Sequence, residues 1–346
     1  MIKKILTLKC FFIIIVLTIL NCYLFAQVSG GGYAGSYLFK ENGTRPISLA
    51  GAFTAVANDP STIFYNPAGL THCAPVPMIS LSYSLLEYSR NFANLTYAQS
   101  FEKFGIGASL SSYKSGNIIA RNRQGVEIGN YTDYFFNIAV GFSYSTTLAS
   151  FGIVAKYLNN SLQGSGISGN GLSFDFGTKF NVLDLFNFGI AVQNVGGFVK
   201  YNTRGEKSNI PFAIRSGIAT EIPLSEPKII TFRNEIGLLD TIEQPSPKYI
   251  LLTLDATYIQ YQKHPNLIFG TEISPHELFT IRGGITILGD KDQNLKFFPM
   301  TIWGGGVSFK PNFEDFYNLF SVDFSFGNDL LSRNKIYYSI GISLQF

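Results

Sequence analysis

"KIYYSIGISLQF" (residues 335–346) alternates without a break. Ile336, Tyr338, Ile340, Ile342, Leu344 and Phe346 fall on one face. Tyr337, Ser339, Gly341, Ser343 and Gln345 fall on the other. Successive side chains of a strand point to opposite sides, so the spacing predicts a strand with one apolar face and one small, polar face. Such a strand suits a wall with lipid on one side and a polar interior on the other.

The same period recurs upstream. "YFFNIAVGFSY" (134–144) places Tyr134, Phe136, Ile138, Val140, Phe142 and Tyr144 opposite Phe135, Asn137, Ala139, Gly141 and Ser143. Leu172, Phe174, Phe176 and Phe180 alternate with Ser173, Asp175, Gly177 and Lys179. Ile250, Leu252, Leu254 and Tyr258 alternate with Leu251, Thr253, Asp255 and Thr257. Fourteen segments of this kind are predicted: 78–87, 91–101, 104–115, 132–146, 150–162, 170–181, 185–195, 210–222, 248–260, 265–274, 277–289, 300–309, 317–326 and 335–346.

Composition agrees. Charged residues make up 14% of the 346 residues, against about 25% in an ordinary soluble domain. Aromatics reach 15%, with 32 Phe and 19 Tyr beside 34 Gly. Beyond the N-terminus no apolar run reaches the ~18 residues of a transmembrane helix. An even number of strands with alternating short and long connections is the pattern of an outer-membrane barrel. Gaps at 102–103, 147–149, 182–184 and 275–276 are short, and those at 116–131, 196–209, 290–299 and 327–334 are long. The short link 87–91 and the long stretch 223–247 break the alternation. Within the latter, "KIITFRNEIGLL" (228–239) reads as an inserted hairpin or elongated turn, the alternative being an extra strand. In lipid an unpaired sheet edge is costly, and closing the sheet removes it. The expected fold is therefore an all-β, fourteen-stranded antiparallel transmembrane barrel, residues 77–346.

The N-terminus reads as a signal peptide, residues 1–26. Lys3, Lys4 and Lys9 precede the apolar run Phe11–Leu20, and Leu24-Phe25-Ala26 offers a cleavage site before Gln27. Cys22 would be the lipidated residue of a lipoprotein, but Asn21 before it fits that poorly. The formal charge of +3 drops to about 0 with those three lysines, so the balance does not point to nucleic acid. Removing Cys10 and Cys22 leaves Cys73 alone, which excludes an internal disulfide and a cysteine metal cluster.

Residues 27–76 read as a separate plug. "TRPISLAGAFTAVANDP" (44–60) predicts a helix over about 45–57, capped by Thr44, with Pro46 in its first turn and Leu49, Phe53 and Val56 on one face. Asn58-Asp59-Pro60 ends it. A rigid turn follows, Asn66-Pro67-Ala68-Gly69. Asn66 can bind backbone two residues on, while Pro67 fixes its own φ and keeps Asn66 out of the helical region. Gly30, Gly32 and Gly35 match G-x-G-x-x-G, but no βαβ unit surrounds them.

"SLAGAFTAVANDPSTIFYNPAGL" (48–70) resembles the N-terminal plug of the FadL-like outer-membrane proteins. "FGIVAKYLNNSL" (151–162), "FNFGIAVQNVGGFVKY" (186–201), "IPFAIRSGIA" (210–219) and "LFTIRGGITIL" (278–288) resemble the PorV/PorQ branch more closely. The first resemblance implies inward passage of hydrophobic molecules. The second implies service to a machine that exports proteins across a Gram-negative outer membrane.

No chemistry of catalysis or metal binding is apparent. His72, His264 and His276 are the only histidines and none pair at zinc-ligand spacing. A serine hydrolase needs a histidine beside a serine, and no wall face carries one. Neither an enzyme nor a cofactor is expected. Strand parity turns Lys156, Lys179, Arg215 and Arg282 inward, together with Asp175, Asp255, Glu272 and Asp323. Dry charges need partners, so a paired ladder that braces the wall and holds the plug is the first reading; a charged path that sets selectivity is the second. Tyr338 and Phe346 read as a C-terminal signal for the barrel-assembly machinery. Expected partners are outer-membrane lipid and either a secretion translocon with its cargo, bound by the long loops, or a hydrophobic ligand held between plug and wall. The secretion role is the leading expectation and uptake the alternative.

Overall fold

The computed structural model describes residues 34–182, 185–203, 205, 207–226, 228–233, 239–244, 248–289, 301–311, 320–329 and 335–346, the segments at 228–233 and 239–244 by their backbone. The expected signal peptide and the loop 290–299 lie outside the described residues.

Fourteen long strands form one antiparallel wall. They are β1 (Met78–Leu86), β2 (Arg90–Phe101), β3 (Phe104–Lys114), β5 (Glu127–Ser145), β6 (Ser150–Gln163), β7 (Ile167–Val182) and β8 (Phe186–Tyr201), then β10 (Ala213–Pro223), β13 (Tyr249–Ile259), β14 (Asn266–His276), β15 (Phe279–Ile287), β16 (Thr301–Phe309), β17 (Phe320–Asp329) and β18 (Lys335–Gln345). Each pairs with the next, and β1 pairs with β18 from Met78↔Gln345 to Leu85↔Tyr338, which closes the barrel. Each of the fourteen sequence segments corresponds to one of these strands.

The connections add two features. β4 (Ile118–Arg121) pairs with the start of β5, and β9 (Lys207–Asn209) pairs with the end of β8, so two of the long loops are extensions of the wall. β11 (Lys228–Arg233) and β12 (Leu239–Gln244) pair only with each other, while β10 pairs directly with β13. The described part of the 228–239 segment thus lies in a hairpin outside the wall, as β11 and the first residue of β12.

Burial follows the alternation. Val140, Phe142, Ile340 and Ile342 face outward and are exposed, whereas Ser143, Thr253, Asp255 and Ser339 face inward and are buried. Inward side chains are buried because the N-terminal segment fills the lumen. It contains α1 (Thr44–Ser48) and three short 3-10 helices, Ser36–Phe39, Pro60–Phe64 and Pro67–His72.

The helix expected over 45–57 stops after five residues. Gly43 precedes it, and Thr44 lies inside it with its carbonyl accepting from Ser48 Oγ. Ala50 and Gly51 then take positive φ, 52° and 91°, which ends a right-handed helix. The reason lies in the wall. Asp255 accepts from the N–H groups of Phe53 and Thr54, Arg215 donates to the Gly51 carbonyl, and Lys179 donates to the carbonyls of Val56 and Ala57. Wall side chains thereby bind backbone groups that a continued helix would have paired internally. Leu49, Phe53 and Val56 still share one buried cluster, with Tyr65, Leu251 and Ile268.

Candidate functional site

The Asn66-Pro67-Ala68-Gly69 turn opens the last 3-10 helix of the plug. Asn66 Oδ1 accepts from the Ala68 N–H at 3.2 Å. Its Nδ2 donates to Thr54 O at 2.9 Å and to Thr178 O, on β7, at 3.1 Å. One side chain therefore shapes the turn, ties it to the plug and docks it on the wall. The wall is cut back to receive it. A Cβ at Gly152 would strike the Pro67 backbone, at Gly177 the Asn66 amide and at Gly105 the Leu70 backbone. Gly69 lies so close to Ala57 that it too has no room for a side chain. Gly177 was visible in the alternation, but only the seated plug shows what it accommodates.

All eight inward charges lie in the lumen. Lys156 pairs with Asp175 at 2.7 Å. Glu272 pairs with Arg282 at 2.5 Å, and Arg282 with Asp323 at 2.7 Å. Arg45 of the plug joins this group through Nε to Glu272 at 2.8 Å and also reaches Asp59 at 3.1 Å. Tyr249 donates to Glu272 at 2.5 Å. Lys179, Arg215 and Asp255 bind plug backbone as described above. Arg45 and Tyr249 were absent from the sequence-derived set, because nothing local marks them as partners of Glu272. Burial opposes charge on Arg45, but Glu272 and Asp59 outweigh it and hold the guanidinium ionised.

One expectation needs correction. A histidine does reach a wall serine: His72 Nε2 lies 3.1 Å from Ser150 Oγ. It comes from the plug, so strand parity could not reveal it. Among the described residues no carboxylate orients the ring, and Ser150 contacts Ser145 instead. Burial, then the nearby Lys179 charge, lower the His72 pKa to about 4, so the ring is neutral near pH 7. Cys73 is buried beside Gly69 and Ser100, and burial raises its pKa well above the ordinary thiol value. It is no thiolate nucleophile. Tyr338 and Phe346 both point outward.

A cavity of about 210 Å³ lies between plug and wall, toward the end that carries the long connections. Leu38, Phe39, Phe64 and Tyr65 line it from the plug, and Ile259, Ile268, Leu288 and Ile302 from the wall. Glu41, Gln193, Arg215, Thr257 and Asn266 supply polar groups. Arg215 stacks on Tyr65, its guanidinium carbon 4.9 Å from the ring centre. For scale, a cavity of ~150 Å³ lined by Leu, Ile and Phe admits benzene.

Solved structures share this fold. A Pseudomonas aeruginosa FadL homologue aligns with a TM-score of 0.57 at 11% identity, covering 91% of this chain and 100% of the other. The Pseudomonas putida toluene transporter TodX aligns at 0.56 and 11% identity, covering 89% and 98%. A TodX mutant described as a monoaromatic hydrocarbon channel aligns at 0.53. The fold is that of the FadL-like outer-membrane barrels. No protein-family model matches the chain, and no curated protein matches it.

Proposed function

We propose that this protein is an outer-membrane channel for uptake of small hydrophobic molecules. The observation that carries the reading is the cavity, which has apolar side chains from both plug and barrel set among polar ones and room for a ligand of one ring. The fold shared with a toluene transporter and a FadL homologue supports it. Polar groups among the lining, Arg215 and Gln193 of the wall and Glu41 of the plug, would orient a ligand with a polar substituent. Residues 1–26 would direct export and be removed. Service to a secretion machine, which the PorV/PorQ-like strand sequences had favoured, becomes the second reading, supported by those strand sequences alone.

The test is uptake of a labelled monoaromatic hydrocarbon by cells that make the protein, compared with cells lacking it. Uptake above background that falls when Ile268→Trp fills the cavity is expected. Equal uptake in both strains would overturn the proposal, and recovery of a large secretion assembly from mild detergent would favour the second reading.

A further inference from the structure

Four side chains line up on the outer surface of the wall, at the end with the long connections. Asn159 stands directly opposite Asn170, Asn170 opposite Lys200, and Lys200 opposite Lys207, on β6, β7, β8 and β9. Residues directly opposite one another share a face, and neighbouring strands lie about 4.8 Å apart, so the row spans about 14 Å. Two positions nearer the middle of each strand lies a second row, Tyr157, Leu172 and Phe198. Tyr157 and Leu172 are exposed, as are Phe174 and Phe176 beyond them. The apolar band of the barrel therefore gives way to amides and ammonium groups in one step, at the same level on each of these strands.

The row carries positive charge that nothing on its own strands balances. Like charges directly opposite one another destabilise a sheet, and Lys200 and Lys207 are such a pair. The one carboxylate on β6, β7, β8 and β9 is Asp175, which faces the lumen and pairs with Lys156. Among the described residues neither Lys200 nor Lys207 has an ion-pair partner. Lys207 instead lays its Nζ 4.6 Å from the centre of the Phe198 ring, at the junction of the two rows. Asn170 adds a donor. Its Oδ1 accepts from Tyr157 Oη at 2.8 Å and from Asn159 Nδ2 at 2.7 Å, so the oxygen is used within the wall and Nδ2 is the atom left to meet a ligand.

Cations and an amide donor call for an anion, and the exposed apolar row directly beneath them calls for hydrocarbon. A phosphate headgroup on acyl chains supplies both at the spacing of two adjacent rows. A free anion would leave the apolar row unused. The surface is also continuous with the lipid-facing band, so a lipid reaches it without leaving the bilayer. Lysine stems can lie along apolar neighbours while their ammonium groups reach the headgroup level. Hydrogen bonds from ammonium groups to phosphate are strong, charge-assisted ones.

We infer that Lys200, Lys207 and Asn170 form a site for the phosphate headgroup of an outer-leaflet glycolipid, with its acyl chains on Tyr157, Leu172 and Phe198. The long connections of outer-membrane barrels face outward, which puts the row at the outer leaflet. The site lies on the lipid side of the wall and is independent of what passes through the lumen.

The full barrel in non-ionic detergent tests this by titration with diphosphorylated lipid A, bound lipid being read by native mass spectrometry. Lys200→Gln combined with Lys207→Gln is expected to weaken binding about tenfold, and Lys200→Arg with Lys207→Arg to preserve it. Lipid A stripped of its phosphates should bind the unaltered barrel and the glutamine variant alike, at the weakened level. Lys114→Gln removes a lysine from the same rim on β3, opposite Tyr134, and should change nothing. Inorganic phosphate at the concentration of the lipid should not displace it. The inference is overturned if the glutamine variant keeps full affinity, if the arginine variant loses it, or if Lys114→Gln costs as much. Equal binding of the dephosphorylated lipid, or displacement by inorganic phosphate, would overturn it too.

Discussion

Arg45 of the plug grips Glu272 of the wall at two points, Nε to Oε2 at 2.8 Å and Nη2 to Oε1 at 3.0 Å. The planar guanidinium suits such a two-point contact, and lysine could not reproduce it. Arg282 approaches the same carboxylate from the neighbouring strand, so Glu272 is the hinge of the network. Replacing Glu272 with Gln leaves two buried cations facing a neutral amide. Breaking a buried pair from one side costs about 3–5 kcal/mol, so the variant is expected to lose stability of that order. Arg45→Met should cost less, because Arg282 and Tyr249 still satisfy Glu272. Denaturant unfolding in detergent measures both, and equal losses would show that the plug-to-wall pair has no special place.

Asn66 is a second anchor, because one amide serves Ala68, Thr54 and Thr178. Asn66→Ala removes a capping contact worth about 1–2 kcal/mol and takes a donor from the Thr54 and Thr178 carbonyls. Gly177→Val attacks the same contact from the wall by filling the space of the Asn66 amide. Both variants are expected to keep the barrel while exposing the plug to protease. Plug fragments released at the unaltered rate would contradict the assignment of this turn as a docking point.

The strands were legible because lipid on one side and plug on the other impose a period of two on nearly every wall residue. That pattern survives in Tyr134–Tyr144 and Ile336–Phe346 read alone. The plug was less legible. Residues 45–57 have the composition of a helix, yet Asp255, Arg215 and Lys179, all more than a hundred positions away, take up their backbone groups. Arg45 illustrates the same limit, since its partner lies 227 residues later. Inward charges could be assigned by parity, but which of them would meet each other depended on strand register and on the seated plug.

His72 makes plug seating sensitive to pH. The ring is neutral near pH 7, with one edge on Ser150 and its pKa lowered to about 4 by desolvation against the plug and wall and then by the Lys179 charge. An unfolded histidine titrates near ~6.5. As pH falls through that value the unfolded chain takes up a proton that the folded chain refuses. Stability is therefore lost between about pH 6.5 and 4, and the loss levels off below 4. His72→Gln should flatten this window while leaving stability near pH 7 little changed. Unfolding midpoints for both proteins at pH 7.5 and pH 5 give the comparison, and parallel losses would place the sensitive group elsewhere.

The outward face offers the test of what surrounds the barrel. Val140 is 61% exposed in the middle of the lipid-facing part of β5, and Leu148 is 84% exposed in the short turn between β5 and β6. In water both would tolerate arginine, since neither packs against the interior. In a bilayer they differ by depth. An arginine at the midplane costs about 2–4 kcal/mol, falling to about 0–1 near the interface. Val140→Arg is thus expected to destabilise the barrel folded into lipid vesicles by that larger amount, and Leu148→Arg to be nearly neutral. The difference should be smaller in detergent, where the micelle deforms around the charge. If the two variants unfold at the same denaturant concentration in vesicles, the apolar faces of these strands do not lie at the depths assigned to them.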